Sequence, residues 1–215
     1  MVKKVTEDFL KEHGSEKFRT PITESEKIFA DKGFTFSKNP AKTFAEIGNT
    51  NPDNGMTNCK QVAYCSAMKC INGMNSVANG NNACPGNLNK MIETNFKNGL
   101  GKVVSISAAN TPQESMERVK RQIAKKYSEG AVGIISISAK SSGTYNGDVI
   151  GAHAFNFKVD QGKVSFFCKQ KNLEDASVYF SSKMDLSKEI EIVDTLEDLI
   201  PNDSLFNGIR SAASR

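Results

Sequence analysis

The chain has no tryptophan and only two histidines in 215 residues. Its basic residues form no block interleaved with aromatics, the usual footprint of a nucleic-acid surface. Lys and Arg number 28 against 24 Asp and Glu, a net charge of +4 with both signs interspersed. Nucleic acid is therefore not an expected partner. Long hydrophobic runs are missing too. A membrane-spanning helix needs ~20 consecutive apolar residues, and the best stretch, 131–137, is far shorter. The opening MVKKVTEDFLKEHG is charged throughout and lacks the apolar core of a secretory signal peptide. If the protein leaves its cell, a route without a signal peptide is expected to carry it, unless the chain is a piece of something longer; otherwise it is expected to be cytoplasmic.

Metal-ligand spacing is absent as well. The cysteines at 59, 65, 70, 84 and 168 form no CxxC pair, and His13 and His153 stand far apart. An odd cysteine count in a chain this long does not read as a disulfide framework. No structural metal and no cofactor are expected.

Patterning predicts an α+β chain, with helices first and strands later. Residues 1–32 carry two short charged helices. One shows Val5, Phe9 and Leu10 on a single face, with His13 at its end, and the other is capped by Thr23 with Glu26 three residues on. They read as an N-terminal segment outside the main domain, or as a docking arm for a partner. Residues 33–58 read as a long loop rich in Gly, Pro and Asn. A helix is predicted from Cys59 to Gly73, built on small residues and capped by Asn58 or Thr57. Thr111-Pro112 opens an amphipathic helix with Met116, Val119, Ile123 and Tyr127 as its stripe, and its Lys/Arg set reads as a solvated face. Strand signals follow at 103–107, 130–139, 152–159, 163–170, 178–182 and 189–193. The main domain is placed at 33–201, and 202–215 reads as a loosely held tail.

Two residues stand out chemically. Cys59 is placed at or beside a helix N-terminus, where a thiol is more easily ionised. His153 opens a strand whose alternation puts it on one face with Phe155, Phe157 and Val159. The partner strand puts Cys168 and Gln170 on that same face, because a one-residue slip would turn a whole apolar set outward. An Asp160-Gln161 turn sets His153 opposite Cys168, whereas a Gln161-Gly162 turn sets it opposite Gln170. Lys169 falls on the other face.

Three segments carry a resemblance to a known family. NTNPDNGMTNC resembles the "NP … NC" approach to the nucleophile in papain-fold toxins of the glutamine deamidase type. CKQVAYCSAMKCINGMNSVA is similar to that family's small-residue helix, and GAHAFNFKVDQGKVSFFCKQ to its "GHvfNv…dGkv.f.DpQ" hairpin. The resemblance spans roughly residues 44–172, in the same order. It implies a papain-like fold, with N-terminal helices and a nucleophile helix packed on a C-terminal antiparallel sheet. It implies Cys59 as nucleophile and His153 as general base, with Asn51-Pro52 and Asn58 near the oxyanion site. The family's Asp is replaced here by Cys168, while Gln170 matches the family's Gln. Gln170 is the first choice to orient the imidazole, by analogy with Cys–His–Asn sets, and Cys168 is the second.

The implied reaction is deamidation of glutamine in a target protein through a Cys59 thioester. The Cys59 N–H and one of Asn51, Asn54 or Asn58 are the candidate oxyanion donors. A papain-like cysteine protease is the nearest alternative, since only the leaving group differs. A transglutaminase ranks lower. A catalytically weak binding module on the same fold is the non-enzymatic alternative, motivated by the missing Asp. The resemblance further implies a bacterial toxin or effector, secreted without a signal peptide or delivered into a target cell, with a cognate immunity or inhibitor protein as partner.

Overall fold

A computed structural model describes residues 17–80, 86–140, 144–145, 148–149, 151–193 and 195–212. In chain order these form β1 (Phe18–Arg19), α1 (Glu24–Asp31), β2 (Phe36–Ser37), α2 (Phe44–Ile47), α3 (Cys59–Ile71), β3 (Ser76–Ala78) and α4 (Leu88–Asn95). Then come β4 (Val104–Ser107), α5 (Pro112–Lys126), β5 (Val132–Ser138), β6 (Thr144–Tyr145), β7 (Asp148–Val149), β8 (Ala152–Asp160) and β9 (Lys163–Phe167). The chain ends with β10 (Glu189–Val193), α6 (Leu205–Gly208) and β11 (Ile209–Ser211). The fold is α+β, with its helices concentrated before its main strands.

A five-stranded antiparallel sheet in the order β4-β10-β5-β8-β9 forms the centre. Strand alternation splits its side chains between two cores. Ile134, Ala154 and Phe167 face a core that contains Ala63, Tyr64, Ala67 and Met68 of α3. Ile135, Phe155, Phe157, Val159 and Phe166 face a second core with Met116, Val119 and Ile123 of α5. The small residues of α3 let its backbone approach the sheet closely. Asn156 Nδ2 donates to the Ala63 carbonyl at 2.9 Å and to the Gly133 carbonyl at 3.2 Å, pinning α3 against β5 and β8.

The predicted α5 stripe holds, and its Thr111 cap accepts from the Glu114 N–H at 3.1 Å. The β8–β9 hairpin turns at Gln161-Gly162, since Asp160 pairs with Lys163. Both turn residues have positive φ, 50° and 70°, the geometry that matches strand twist in a two-residue hairpin. The Glu129 carboxylate accepts from both turn N–H groups, at 2.8 and 3.2 Å.

Several expectations change. The helix capped by Thr23 is not an outlying arm. Phe29 is fully buried in the α3 core, against Phe34 and Phe206. Residues 202–212 are not a loose tail. Leu205 and Ile209 are core residues, and β11 pairs antiparallel with β3. In both cases a few apolar side chains among polar and charged ones suffice to anchor the segment. Residues 178–182 give no strand; Ser177–Tyr179 is a 3₁₀ turn, while Ala176 and Phe180 on either side of it face the second core. The helix expected around Val5, with His13, and Cys84 lie outside the described residues. Among the described residues no helix is long and apolar enough to cross a membrane.

Candidate active site

The segment before α3 is held by its own amides. Asn51 Oδ1 accepts from the Gly55 N–H at 3.0 Å, and Asn51 Nδ2 donates to the Gly55 carbonyl at 3.1 Å. Asn58 Nδ2 donates to Asn51 Oδ1 at 3.0 Å and to the Asn79 carbonyl at 3.3 Å. Gly55 has no room for a side chain: an added Cβ would lie 2.1 Å from the Gly80 carbonyl and 2.4 Å from Asn58 Nδ2. Asn54 sits exposed at the tip of this turn with φ 52°.

Asn58 occupies the N-cap position of α3 but does not cap it with its side chain, which is committed to the loop. The first intrahelical bond runs from the Val62 N–H to the Asn58 carbonyl at 3.0 Å. Cys59 is therefore the first helical residue. Its own N–H has no partner within the helix, as the geometry of a helix start requires.

Cys59 is half-buried, and its thiol meets the backbone N–H of Ala154. Burial pushes the Cys59 thiol up from its ordinary value. The Ala154 N–H and the positive charge of Lys60 pull it partly back. The contact is possible because the sheet opens here. The β8–β9 ladder ends at Asn156–Phe167. The next residue, Cys168, turns its backbone away and exchanges both hydrogen bonds with Leu173, at 2.8 Å each.

His153 stands one residue before Ala154, paired with Ile137 of β5. Its ring is buried, with the Phe155 ring 6.0 Å and the Tyr179 ring 4.3 Å away, centroid to centroid. Burial, and secondarily the charge of Lys171, push its pKa down to about 4. The His153 Nε2 lies 3.3 Å from the Cys168 sulfur. Tyr179 donates its hydroxyl to the same sulfur at 3.7 Å.

The two candidates for orienting the imidazole are thus separated. In register, Gln170 would stand opposite His153, but the ladder stops before reaching it. Gln170 instead donates to the Gly55 carbonyl at 3.2 Å and to Asn58 Oδ1 at 3.0 Å. Cys168, diagonal to His153 on the same face, is the residue left against the ring. Lys169 lies on the other face, its ammonium 3.8 Å from the centre of the Phe44 ring.

The expected oxyanion amides also differ from one another. Asn58 is fully buried and spends both side-chain N–H groups within the protein, so it has none left to offer an oxyanion. Asn51 is nearly as buried and braces the turn. The backbone N–H of Cys59 has no partner within the helix, and with the Lys60 N–H it bears on the Cys59 thiol.

Tyr179 went unrecognised in the sequence. It lies in a stretch that reads as a strand, and nothing local announces that its ring covers a histidine 26 positions earlier. Cys65 and Cys70, also on α3, have thiols pushed up by burial to about 12 and about 11. Cys65 lies in the core, and Cys70 is half-buried against it. No protein-family model, curated protein or solved structure matches this chain.

Proposed function

We propose that this protein is a papain-like cysteine hydrolase of the toxin or effector type, deamidating glutamine side chains of a target protein. One observation carries the reading. A helix begins at Cys59, and its thiol meets the backbone N–H that directly follows His153. Nucleophile and base thus come from two elements crossing at one point where the sheet opens.

In this reading His153 takes the proton of the Cys59 thiol as the sulfur attacks the carboxamide carbon of a bound glutamine. The oxyanion is met by the Cys59 N–H at the positive end of α3. His153 delivers a proton to the departing ammonia. It then takes one from the water that cleaves the thioester, leaving glutamate and the free thiol. The resemblance around residues 44–172 favours deamidation over peptide cleavage. It also supports a target inside another cell and an immunity or inhibitor protein as partner.

A second reading has its own support. Burial favours the uncharged form of both groups, raising the Cys59 thiol and lowering the His153 imidazole. A resting thiolate–imidazolium pair is disfavoured, as expected for a catalytically weak binding module.

The test is peptide mass spectrometry of a cell lysate treated with wild-type protein, Cys59→Ala or His153→Gln. The deamidase reading expects Gln-to-Glu changes only with the wild type. New peptide termini would make the protein a protease. Three indistinguishable lysates would favour the binding module.

A further inference from the structure

The central sheet is covered at one edge and open at the other. At β9 the chain that follows lies against the strand, and its Ala176 N–H donates to the Phe166 carbonyl at 2.9 Å. β4 has β10 on one side and no strand on the other. Among the described residues, nothing outside that β4–β10 ladder hydrogen-bonds to the backbone of 104–106. Arg118 closes one end of the edge, donating to the Ser107 and Ala108 carbonyls at 3.0 and 3.2 Å. Val104, Ser105 and Ser107 are exposed.

α5 follows β4 after residues 108–111 alone and folds back beside it. Between them runs a groove of about 940 Å³, whose helix wall carries Arg118, Arg121, Lys125 and Lys126. In the sequence this row reads as a solvated face; in the fold it borders an open strand. Among the described residues neither a carboxylate nor an aromatic ring lines the groove, and none of the four cations forms an ion pair. The acidic residues of the ladder, Glu189 and Glu191, pair with Ser107 and Ser105 and so fall on the face away from Ile106.

The spacings of helix and strand agree. Ile106 points into the α5 core, so a strand laid against β4 shows every second side chain to α5. Those side chains recur every ~7 Å. Arg121 and Lys125 stand four residues apart on the helix, a rise of ~6 Å.

We propose that the β4 edge and the basic wall of α5 form a docking site for an extended acidic segment of a partner protein, which adds to the sheet as an extra strand with Asp or Glu at every second position. Backbone bonds to 104–106 hold the segment. Arg121 and Lys125 select its charge. Alone, such cations guard an exposed edge against pairing with other chains, and an acidic strand turns that guard into an attraction. A second copy of this chain is a poor occupant, because it brings the same cations against each other. A nucleic acid finds phosphate contacts here but no ring on which to stack a base. The inference does not rest on the hydrolase reading.

Fluorescence anisotropy of the full-length protein with a labelled peptide alternating Glu and Val tests this. The peptide should bind, and Arg121→Glu with Lys125→Glu should weaken it about tenfold or more. Lys27→Glu with Lys97→Glu, the same charge change at exposed positions outside the groove, should alter binding little. Methylating alternate backbone nitrogens of the peptide should abolish binding for one set and spare it for the other, because a strand offers one edge to its neighbour.

Absence of binding, or equal losses from the two double variants, would overturn the proposal. Full binding by both methylated peptides would overturn it too, reducing the site to a charged patch. A single-stranded oligonucleotide that binds more tightly than the peptide, and is as sensitive to the Arg121 and Lys125 reversals, would make nucleic acid the occupant. A dimer of the free chain dissolved by those reversals would make it a second copy.

Discussion

Gln170 and Asn58 lie 112 positions apart and share a 3.0 Å hydrogen bond from Gln170 Nε2 to Asn58 Oδ1. The bond ties the chain just past the β8–β9 hairpin to the residue directly before Cys59. The loop that presents the thiol is therefore clasped from the same segment that supplies Cys168 to His153.

Removing that clasp has a predictable cost. Asn58→Ala strips a fully buried amide, takes this donor from the Asn79 carbonyl and from Asn51 Oδ1, and leaves the Gln170 amide only its bond to the Gly55 carbonyl. Each unsatisfied buried group costs roughly 1–3 kcal/mol. Urea unfolding should show a loss of that order for Asn58→Ala, and a smaller one for Gln170→Ala, whose side chain is only half-buried. Equal midpoints for wild type and Asn58→Ala would contradict the network.

Thiol reactivity separates Cys59 from its neighbours. Among the described residues no imidazole lies beside Cys70, and its thiol is pushed up to about 11. Cys59 shares the burial but stands at the helix start beside the His153 strand. At pH 7.5, iodoacetamide should label Cys59 faster than Cys70, read by peptide mass spectrometry. His153→Gln should abolish the advantage. Equal rates in the wild type would count for the binding module.

His153 imposes a pH dependence on stability. Its pKa falls from an ordinary 6.5 to about 4 in the folded chain. Between these values the unfolded chain holds more protons at this site, so stability falls as pH drops from 6.5 toward 4. The shift amounts to about 3 kcal/mol at most. Above pH 6.5 the site has no effect. Urea midpoints at pH 7.5 and 4.5 should therefore differ more for wild type than for His153→Gln. A larger or equal pH difference in the variant would refute the depressed value.

The C-terminal residues should matter for folding. Ile209 is fully buried, and its strand pairs with β3, directly after the Gly73 turn that closes α3. Ile209→Ala should cost about 2–5 kcal/mol. Val178→Ala, at an exposed position of the 3₁₀ turn, should change little and serves as the control. A similar loss from both would mean that 209–211 does not anchor the fold.

Much of the site could be read along the chain, because the signals involved are local. Helix spacing and the turn-rich approach placed Cys59 at a helix start. Period-two alternation placed His153, Phe155, Cys168 and Gln170 on one strand face. A DQG turn between apolar runs placed the hairpin, and its two allowed registers differed only in which residue stood opposite His153. The α5 stripe and its Thr111 cap likewise need only near neighbours in sequence.

Other features were settled only by folding. Register alone assigned Gln170 to the imidazole, but the ladder ends at Phe167 because Cys168 bonds to Leu173, and no local pattern reports where a strand will stop pairing. Asn58 looked like a helix cap. Its amide found better-buried partners in Asn51, Asn79 and Gln170, which only the closed loop brings within reach. The tail looked detachable because most of its residues are polar, and the Thr23-capped helix because its charged residues outnumber its apolar ones. Phe29, Leu205 and Ile209 anchor them because burial rewards a few large side chains however polar the residues between them are. By itself the sequence determined which backbone conformations were favoured and which faces were apolar. The tertiary structure decided which polar groups met, since those meetings depend on contacts a hundred or more residues apart.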